Sequence, residues 1–323
     1  MTHTDTPAIG FIGLGIMGNR MLTNMQAHGA FNLALAWDPS ADACQAAEQN
    51  YTGLKIAESA QAVINSPDTE VIYIASPPEA HAEYSLAAAA VGKPIYCEKP
   101  LGIDVEASRD LVEKIEASGV ANIVNFSLAS ARAANVIEEA VKSGEVGEVT
   151  GVDVRLHFAR WPRDWQAGAA WLSERAEGGY IREVFSHYVF LIERIFGKAC
   201  RLSSTVRYPS DPKLCETHFI ALLECASTPI SVAGGSGGVG PDRVEFTVRG
   251  SKKSYRLWDW NKLQSATGDL WVDEITDTPD PRIEGYMRTL DNVHNMIIGK
   301  PHNMPTFREA LSVQELIEEI AKT

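Results

Sequence analysis

The chain has 323 residues, 45% of them hydrophobic and 22% charged, with a formal net charge of -13 at pH 7. That length favours two domains, and that composition gives a globular chain with a sizeable core. The acidic excess argues against nucleic acid and anionic membrane as partners, since both reward a basic face, but leaves room for a local basic cluster.

In chain order, "AIGFIG" reads as a short buried strand ending in glycines, and "IMGNRMLTNMQAHG" as a helix closed by Gly29. "NLALAW" is a second strand and "SADACQAAEQN" a helix. "EVIYIAS" carries an apolar core from Val71 to Ala75, and Ala-rich "HAEYSLAAAAVG" stops at Gly92. "KPIYCEKP" is the next strand, "DVEASRDLVEKIEASG" a helix with Asp104 as candidate cap, and "NIVNFS" a further strand. Continuous apolar strands alternating with helices imply a parallel sheet covered on both faces. We place its end near Phe126, giving one domain over 1–126 and a second over 127–323.

Beyond that point the pattern changes. In "EVTGVDVRLHF", Val152, Val154, Leu156 and Phe158 point one way, and Asp153, Arg155 and His157 the other. "ETHFIALLEC", "RVEFTVRG" and "SYRLWDW" read as further strands, joined by turns such as "GGSGGVGPD". Grouped strands suggest a mixed or antiparallel sheet. "TFREALSVQELIEEIAK" closes the chain as a periodic helix.

Gly13, Gly15 and Gly18 form G-x-G-x-x-G between a strand and a helix. The first glycine permits the tight turn, the second lets a pyrophosphate approach the backbone, and the third lets helix pack on strand. The helix start at Ile16 and Met17 supplies amide donors and positive dipole. Asp38 ends the second strand, 20 positions after Gly18. A carboxylate there accepts from a ribose 2'-hydroxyl and repels a 2'-phosphate, so NAD is favoured over NADP. Arg20 at the helix start could still reach a phosphate.

Ligands of an open parallel sheet bind beyond the carboxyl ends of its strands. Ser76, Pro77 and His81 follow one such end, and Glu98, Lys99 and Pro100 another. A lysine between a buried strand and a proline is unlike the usual solvated surface charge.

"GLGIMG", "ASPPEAH", "CEKPL" and "EGGYIREVFSH" together resemble the Gfo/Idh/MocA oxidoreductases, the glucose–fructose oxidoreductase and inositol dehydrogenase family. "RWPRDWQAGAAWL" and "PTFREALSVQELIEEI" extend the resemblance over nearly the whole chain. It implies an α/β protein: an N-terminal Rossmann domain and a C-terminal α/β domain with a large, mostly antiparallel sheet. It implies a homodimer or homotetramer, for which the face with Asp153, Arg155 and His157 is the candidate surface. It implies that Lys99 touches the reacting oxygen, next to a cis Lys99–Pro100 bond, and that Glu183 and His187 are the family's acid and histidine four apart on a helix. That spacing puts both on one helix face, where the carboxylate could orient the imidazole. The candidate catalytic residues are thus Lys99, His187 and Glu183, and the candidate cofactor-binding residues are Gly13, Gly15, Ile16, Met17, Gly18, Asp38, Ser76, Pro77, His81, Glu98 and Lys99. Two positions depart from the family pattern. Glu183 stands where Asp is usual, and Phe185, where Gly is usual, would put a ring near the active edge.

The expected activity is hydride transfer between nicotinamide and a carbinol or carbonyl carbon of a carbohydrate-like small molecule. Imine or enone reduction in the same cleft, or a nucleotide-binding sensor without turnover, are the alternatives. "GFIGLGIMG" also resembles the β-hydroxyacid dehydrogenases, but "CEKP" and the β-rich second half do not fit them. Arg155, Arg160, Arg163, Arg175 and Arg182 suggest an anionic pocket, or solvated and paired charges. Trp161, Trp165 and Trp171 could stack on a sugar or fill the core. His157 and His218 lack ligand-like spacing, so no metal site is expected. Five cysteines without C-x-x-C fit a reducing cytosol rather than a disulfide framework. The N-terminal stretch lacks a basic n-region, so neither a signal peptide nor a spanning helix is expected.

Overall fold

The computed structural model describes residues 6–322. They form two compact units: the chain up to Phe126 together with Tyr286–Leu311, and Ser127–Gly285 together with the chain from Ser312.

The first unit holds six parallel strands, β1 (Ala8–Ile12), β2 (Asn32–Trp37), β3 (Lys55–Ile56), β4 (Val71–Ile74), β5 (Ile95–Cys97) and β6 (Asn122–Val124). Their order is β3-β2-β1-β4-β5-β6, the doubly wound dinucleotide-binding topology. The helices are α1 (Ile16–His28), α2 (Ala41–Asn50), α3 (Ala60–Asn65), α4 (His81–Ala90) and α5 (Val105–Ser118). Every residue of β4 is buried, which is why its sequence is apolar without alternation. Each such aliphatic side chain contributes about 1.5–3 kcal/mol on burial. Asp104 accepts from the Ala107 amide at 2.8 Å to start α5, and Gly119 ends it at φ 70°.

Tyr286–Leu311 packs with the first unit although it lies late in the chain. The cause lies at the sheet edge. The Val124 amide donates to the Pro305 carbonyl at 2.9 Å, and the Phe307 amide to Asn122 Oδ1 at 2.9 Å. Arg308 Nη2 reaches Glu116 at 2.6 Å. The returning segment thus satisfies edge groups of β6 that would otherwise be left open.

The second unit begins with α6 (Arg132–Lys142) and β7 (Val149–Phe158). After α7 (Ser186–Phe196) come β8 (Cys200–Arg207), β9 (His218–Cys225), β10 (Thr228–Ser236), β11 (Arg243–Gly250), β12 (Ser254–Trp258), β13 (Lys262–Ala266) and β14 (Val272–Asp273). The strand order is β14-β13-β12-β11-β7-β10-β9-β8, antiparallel except for the β10–β7 pair. Helices α8 (Pro281–Ile297) and α9 (Phe307–Ala321) each run across a boundary between the units. In β7, Val152, Val154, Leu156 and Phe158 are buried, while Asp153, Arg155 and His157 are half-exposed. Ile220 and Leu222 on β9 are exposed at 66% and 40%.

Gly234, Gly235 and Ser236, expected in a turn, lie in β10. A Cβ on Gly234 would sit 2.2 Å from the Phe219 ring. The glycine marks a close approach within a strand rather than a chain reversal.

Candidate active site

The glycine turn is built from backbone. Gly13 has φ 100°, and its amide donates to the Trp37 carbonyl at 2.9 Å. A Cβ there would lie 2.5 Å from the Ala75 carbonyl oxygen, and one on Gly18 only 2.1 Å from that of Gly13. Gly15 is different, with nothing within 4 Å of its missing Cβ. It caps α1 without a side-chain hydrogen bond, and the first turn of α1 carries no acid. Ile16 and Met17 are half-exposed beside it. The result is a helix start with unsatisfied amides, a positive dipole end and vacant space in front. Close to the turn in space, where a Cβ on Gly13 would lie 2.8 Å from the Ser76 nitrogen, the Ser76 hydroxyl is buried with no partner among the described residues. An open cradle and an orphaned hydroxyl fit a dinucleotide phosphate.

Asp38 braces this turn. Its Oδ2 accepts from the Leu14 amide at 2.7 Å and its Oδ1 from the Ser40 amide at 2.8 Å. Both oxygens keep a lone pair for a ribose hydroxyl. Arg20 Nη1 donates to the Tyr286 hydroxyl at 3.4 Å.

Next along the same carboxyl edge are the chain segments after β4, β5 and β6. Glu98 is buried, and its Oε1 accepts from the Tyr73 hydroxyl and the Asn125 amide, both at 2.7 Å. Burial first, then the Glu98 charge, pushes Tyr73 up, which keeps it a neutral donor. Lys99 follows, half-buried, and its bond to Pro100 is cis. Pro77 is exposed. His81 is buried at 1% exposure, and its ring braces two loops. Its Nδ1 lies 2.8 Å from the Pro100 carbonyl oxygen and its Nε2 2.9 Å from that of Ser76. A neutral imidazole donates to only one of them. Burial, with Lys99 adding a smaller effect, holds His81 below its ordinary value against the pull of both carbonyls.

In the second unit, Glu183 and His187 follow Gly178 and Gly179. A Cβ on Gly178 would lie 2.4 Å from the Trp171 carbonyl oxygen, and one on Gly179 2.2 Å from a Glu216 carboxylate oxygen. Buried Glu216 accepts from the Ile181 amide at 2.7 Å and so caps the element from 35 residues away. That element is a π-helical turn over Ile181–Phe185, which passes into α7. The single regular helix expected for Glu183 and His187 is therefore two helical forms, with Glu183 on the wider turn. Both are buried. His187 Nδ1 lies 3.4 Å from Ser127 Oγ. The Trp260 ring stands 5.5 Å from the imidazole with planes at 88°. Phe185 does not line an active edge: it is fully buried and packs on Phe219 at 5.3 Å.

Several of the arginines are engaged within the second unit. Arg160 pairs with Asp164 at 2.9 Å, Arg182 with Glu318, and Arg175 lies 3.7 Å over Tyr208. Trp161 donates to the Leu172 carbonyl at 3.0 Å inside an aromatic cluster with Phe158 and Tyr180. Among the described residues, no group of three or more His, Cys, Asp or Glu is placed to hold a metal ion, and no helix is long and apolar enough to cross a membrane. Sequence reasoning missed Tyr73, Asn125, Ser127, Glu216 and Trp260. Only Asn125, a polar residue just past β6, carried a visible signal.

Residues 8–126 match the oxidoreductase-family NAD-binding Rossmann fold, and residues 138–323 the C-terminal alpha/beta domain of the same family. The chain belongs to the Gfo/Idh/MocA oxidoreductase family. It is similar to a 1,5-anhydro-D-fructose reductase of Ensifer adhaerens, 32% identical over 41% of this chain and 39% of that protein. It is also similar to an inositol 2-dehydrogenase of Pseudomonas syringae pv. syringae, 37% identical over 30% of this chain and 29% of that one. In both cases the match spans less than half of the relative's length. A putative myo-inositol dehydrogenase from Sinorhizobium meliloti shares the fold at TM-score 0.81 and 19% identity, covering 98% of this chain and 97% of that chain.

Proposed function

We propose that the protein is an NAD-dependent oxidoreductase acting on a hydroxyl-bearing carbon of a sugar, polyol or related small molecule. The observation that carries this is the shared carboxyl edge of one parallel sheet. There the open cradle at Gly15, the orphaned Ser76 hydroxyl and the lysine after β5 follow consecutive strand ends. The names of the two relatives, a sugar-derivative reductase and a polyol dehydrogenase, support the substrate class.

Ile16, Met17 and Gly18 would offer amides to the pyrophosphate, and Asp38 would accept from the adenine ribose. Glu98, held by Tyr73 and Asn125, stiffens the strand end from which Lys99 emerges. Bound NAD supplies the hydride acceptor. As the substrate C–H is lost as hydride, the Lys99 ammonium steadies negative charge on the substrate oxygen, and His187 takes the hydroxyl proton, leaving a carbonyl. Ser127 holds the other side of the imidazole. Glu183 is assigned to orienting it.

A panel of cyclic and linear polyols, sugars and sugar acids with NAD or NADP, read by formation of reduced nicotinamide, tests this reading. Turnover of none of them would overturn it. We also assign the outer sheet face with Asp153, Arg155 and His157, which Ile220 and Leu222 share across the paired strands, to contact with a second copy, in a homodimer or homotetramer. A monomer by light scattering at micromolar concentration would end that assignment. The five free cysteines support a cytoplasmic setting, and recovery of the protein outside the cytoplasm on cell fractionation would refute it.

A further inference from the structure

The hairpin from β12 to β13 turns through Asp259 at φ 48° and Trp260 at φ 69°. These are consecutive left-handed residues, neither of them glycine. Asn-Gly or Asp-Gly is the usual solution for such a turn, and a bulky ring in that conformation is an outlier. Strain of this kind persists where the position of the side chain matters. Here the strained residue delivers an indole that is only half-buried. It meets His187 at 5.5 Å and 88°, and Tyr188 at 5.9 Å and 39°. Tyr188 is fully buried, and its hydroxyl has no partner among the described residues. The local packing is therefore imperfect as well as strained, which is a poor arrangement for stability alone. Perpendicular indole and imidazole planes form two walls of a corner in the second unit.

We propose that Trp260 is a specificity-determining platform beside His187, recognising ring-shaped polyols and sugars through their C–H face. This rests on the reading that His187 handles the substrate hydroxyl proton. In a cyclic polyol the hydroxyls crowd the rim, and ring C–H bonds present an apolar, weakly positive face. That face complements the negative π-surface of indole. A ring lying on the indole can turn one rim hydroxyl towards the imidazole wall. A linear polyol has no such face and must freeze several rotors to imitate one. Trp161 is locked in the aromatic cluster.

The test compares wild type with Trp260→Gly and Trp260→Phe, each loaded with NAD. Probes are inositol and sorbitol, which match in hydroxyl number, together with pyranoses and their alditols. Binding is read by calorimetry and by the Trp260 share of the fluorescence, taken as wild type minus Trp260→Phe. Turnover is read separately. Trp260→Gly should weaken ring compounds by at least about tenfold and linear ones by less than about threefold, while Trp260→Phe keeps most ring affinity. Glycine suits the φ of 69° at position 260, so the melting temperature of Trp260→Gly should hold or rise. The proposal falls if no ring compound binds wild type, if ring and linear probes weaken alike, or if Trp260→Gly melts lower with ring affinity unchanged. Trp260-dependent ring binding without nicotinamide reduction would remove the oxidoreductase reading and leave the platform. Turnover indifferent to Trp260 would do the reverse.

Discussion

The Gly13–Gly18 turn and the Gly178–His187 turn both use paired glycines to start a helix, but they are held in different ways. The first is fixed locally: Gly13, Gly18 and the neighbouring Asp38 bring backbone to within contact, and Gly15 is left facing open space. The second is fixed from afar. Glu216 caps Ile181 across 35 residues, and Arg182 reaches Glu318 across 136. A site for a common, backbone-recognised ligand can be written into a short motif, because amides and a helix dipole suffice. A site that must place particular side chains draws on buried polar partners supplied by the rest of the fold.

The largest effect that would sharpen this contrast is at the strand end after β5. Lys99→Ala should lower kcat at least about a hundredfold while nucleotide affinity stays within a few-fold, since the role proposed for the ammonium is on charge that develops during reaction. Steady-state kinetics beside calorimetry would separate the two. Equal losses of rate and nucleotide affinity would reassign Lys99 to cofactor binding.

The glycine turn offers a smaller, internally controlled effect. Gly15→Ala adds a Cβ into empty space, so the melting temperature should barely move while nucleotide affinity falls at least about tenfold. Gly18→Ala drives a Cβ to 2.1 Å from the Gly13 carbonyl oxygen and should lower the melting temperature itself. If Gly15→Ala bound nucleotide normally, the open cradle would have another use.

Asp38→Ala should weaken both nucleotides, because the Leu14 and Ser40 amides lose their acceptor. The loss should be greater for NAD, narrowing its advantage over NADP by roughly tenfold, the scale of one charge-assisted hydrogen bond. Wild-type affinities that favour NADP would refute the assignment of Asp38 to a ribose.

The smallest effect concerns the remote cap. Burial holds the Glu216 carboxyl above its ordinary 4.5, outweighing the lowering effects of the Ile181 amide and Arg182. For a raised acid, folding favours the protonated form. Its stabilising effect is complete below 4.5 and is lost as pH rises through the raised value. Glu216→Gln keeps an acceptor for the Ile181 amide and cannot ionise. It should match wild type in acid and be the more stable of the two at neutral pH. Parallel melting curves at all pH values would show that Glu216 does not ionise in this window.

Much of the first unit was legible because its signals are local. Unalternating apolar strands such as Val71–Ile74, Asp104 as cap and the glycine spacing each need only neighbouring residues. In the second unit the alternation of β7 was legible for the same reason. What sequence could not supply were features set by long-range contact. Gly234 and Gly235 read as a turn, yet the Phe219 ring requires glycine within a strand. Phe185 read as an active-site ring, yet it packs on Phe219 in the core. The buried His81 ring braces the Ser76 and Pro100 carbonyls, a pairing set by contact between two loops.

By itself, then, the sequence determined the strand–helix alternation, the glycine cradle, the acid that follows it and the lysine at a strand end, because backbone sterics and periodic burial act over a few residues. Tertiary structure alone decided which buried partners hold those groups. It set Tyr73 and Asn125 on Glu98, Glu216 beneath the π-turn and Trp260 against His187. Buried polar and aromatic groups must find their complements wherever the chain brings them, at separations no local pattern encodes.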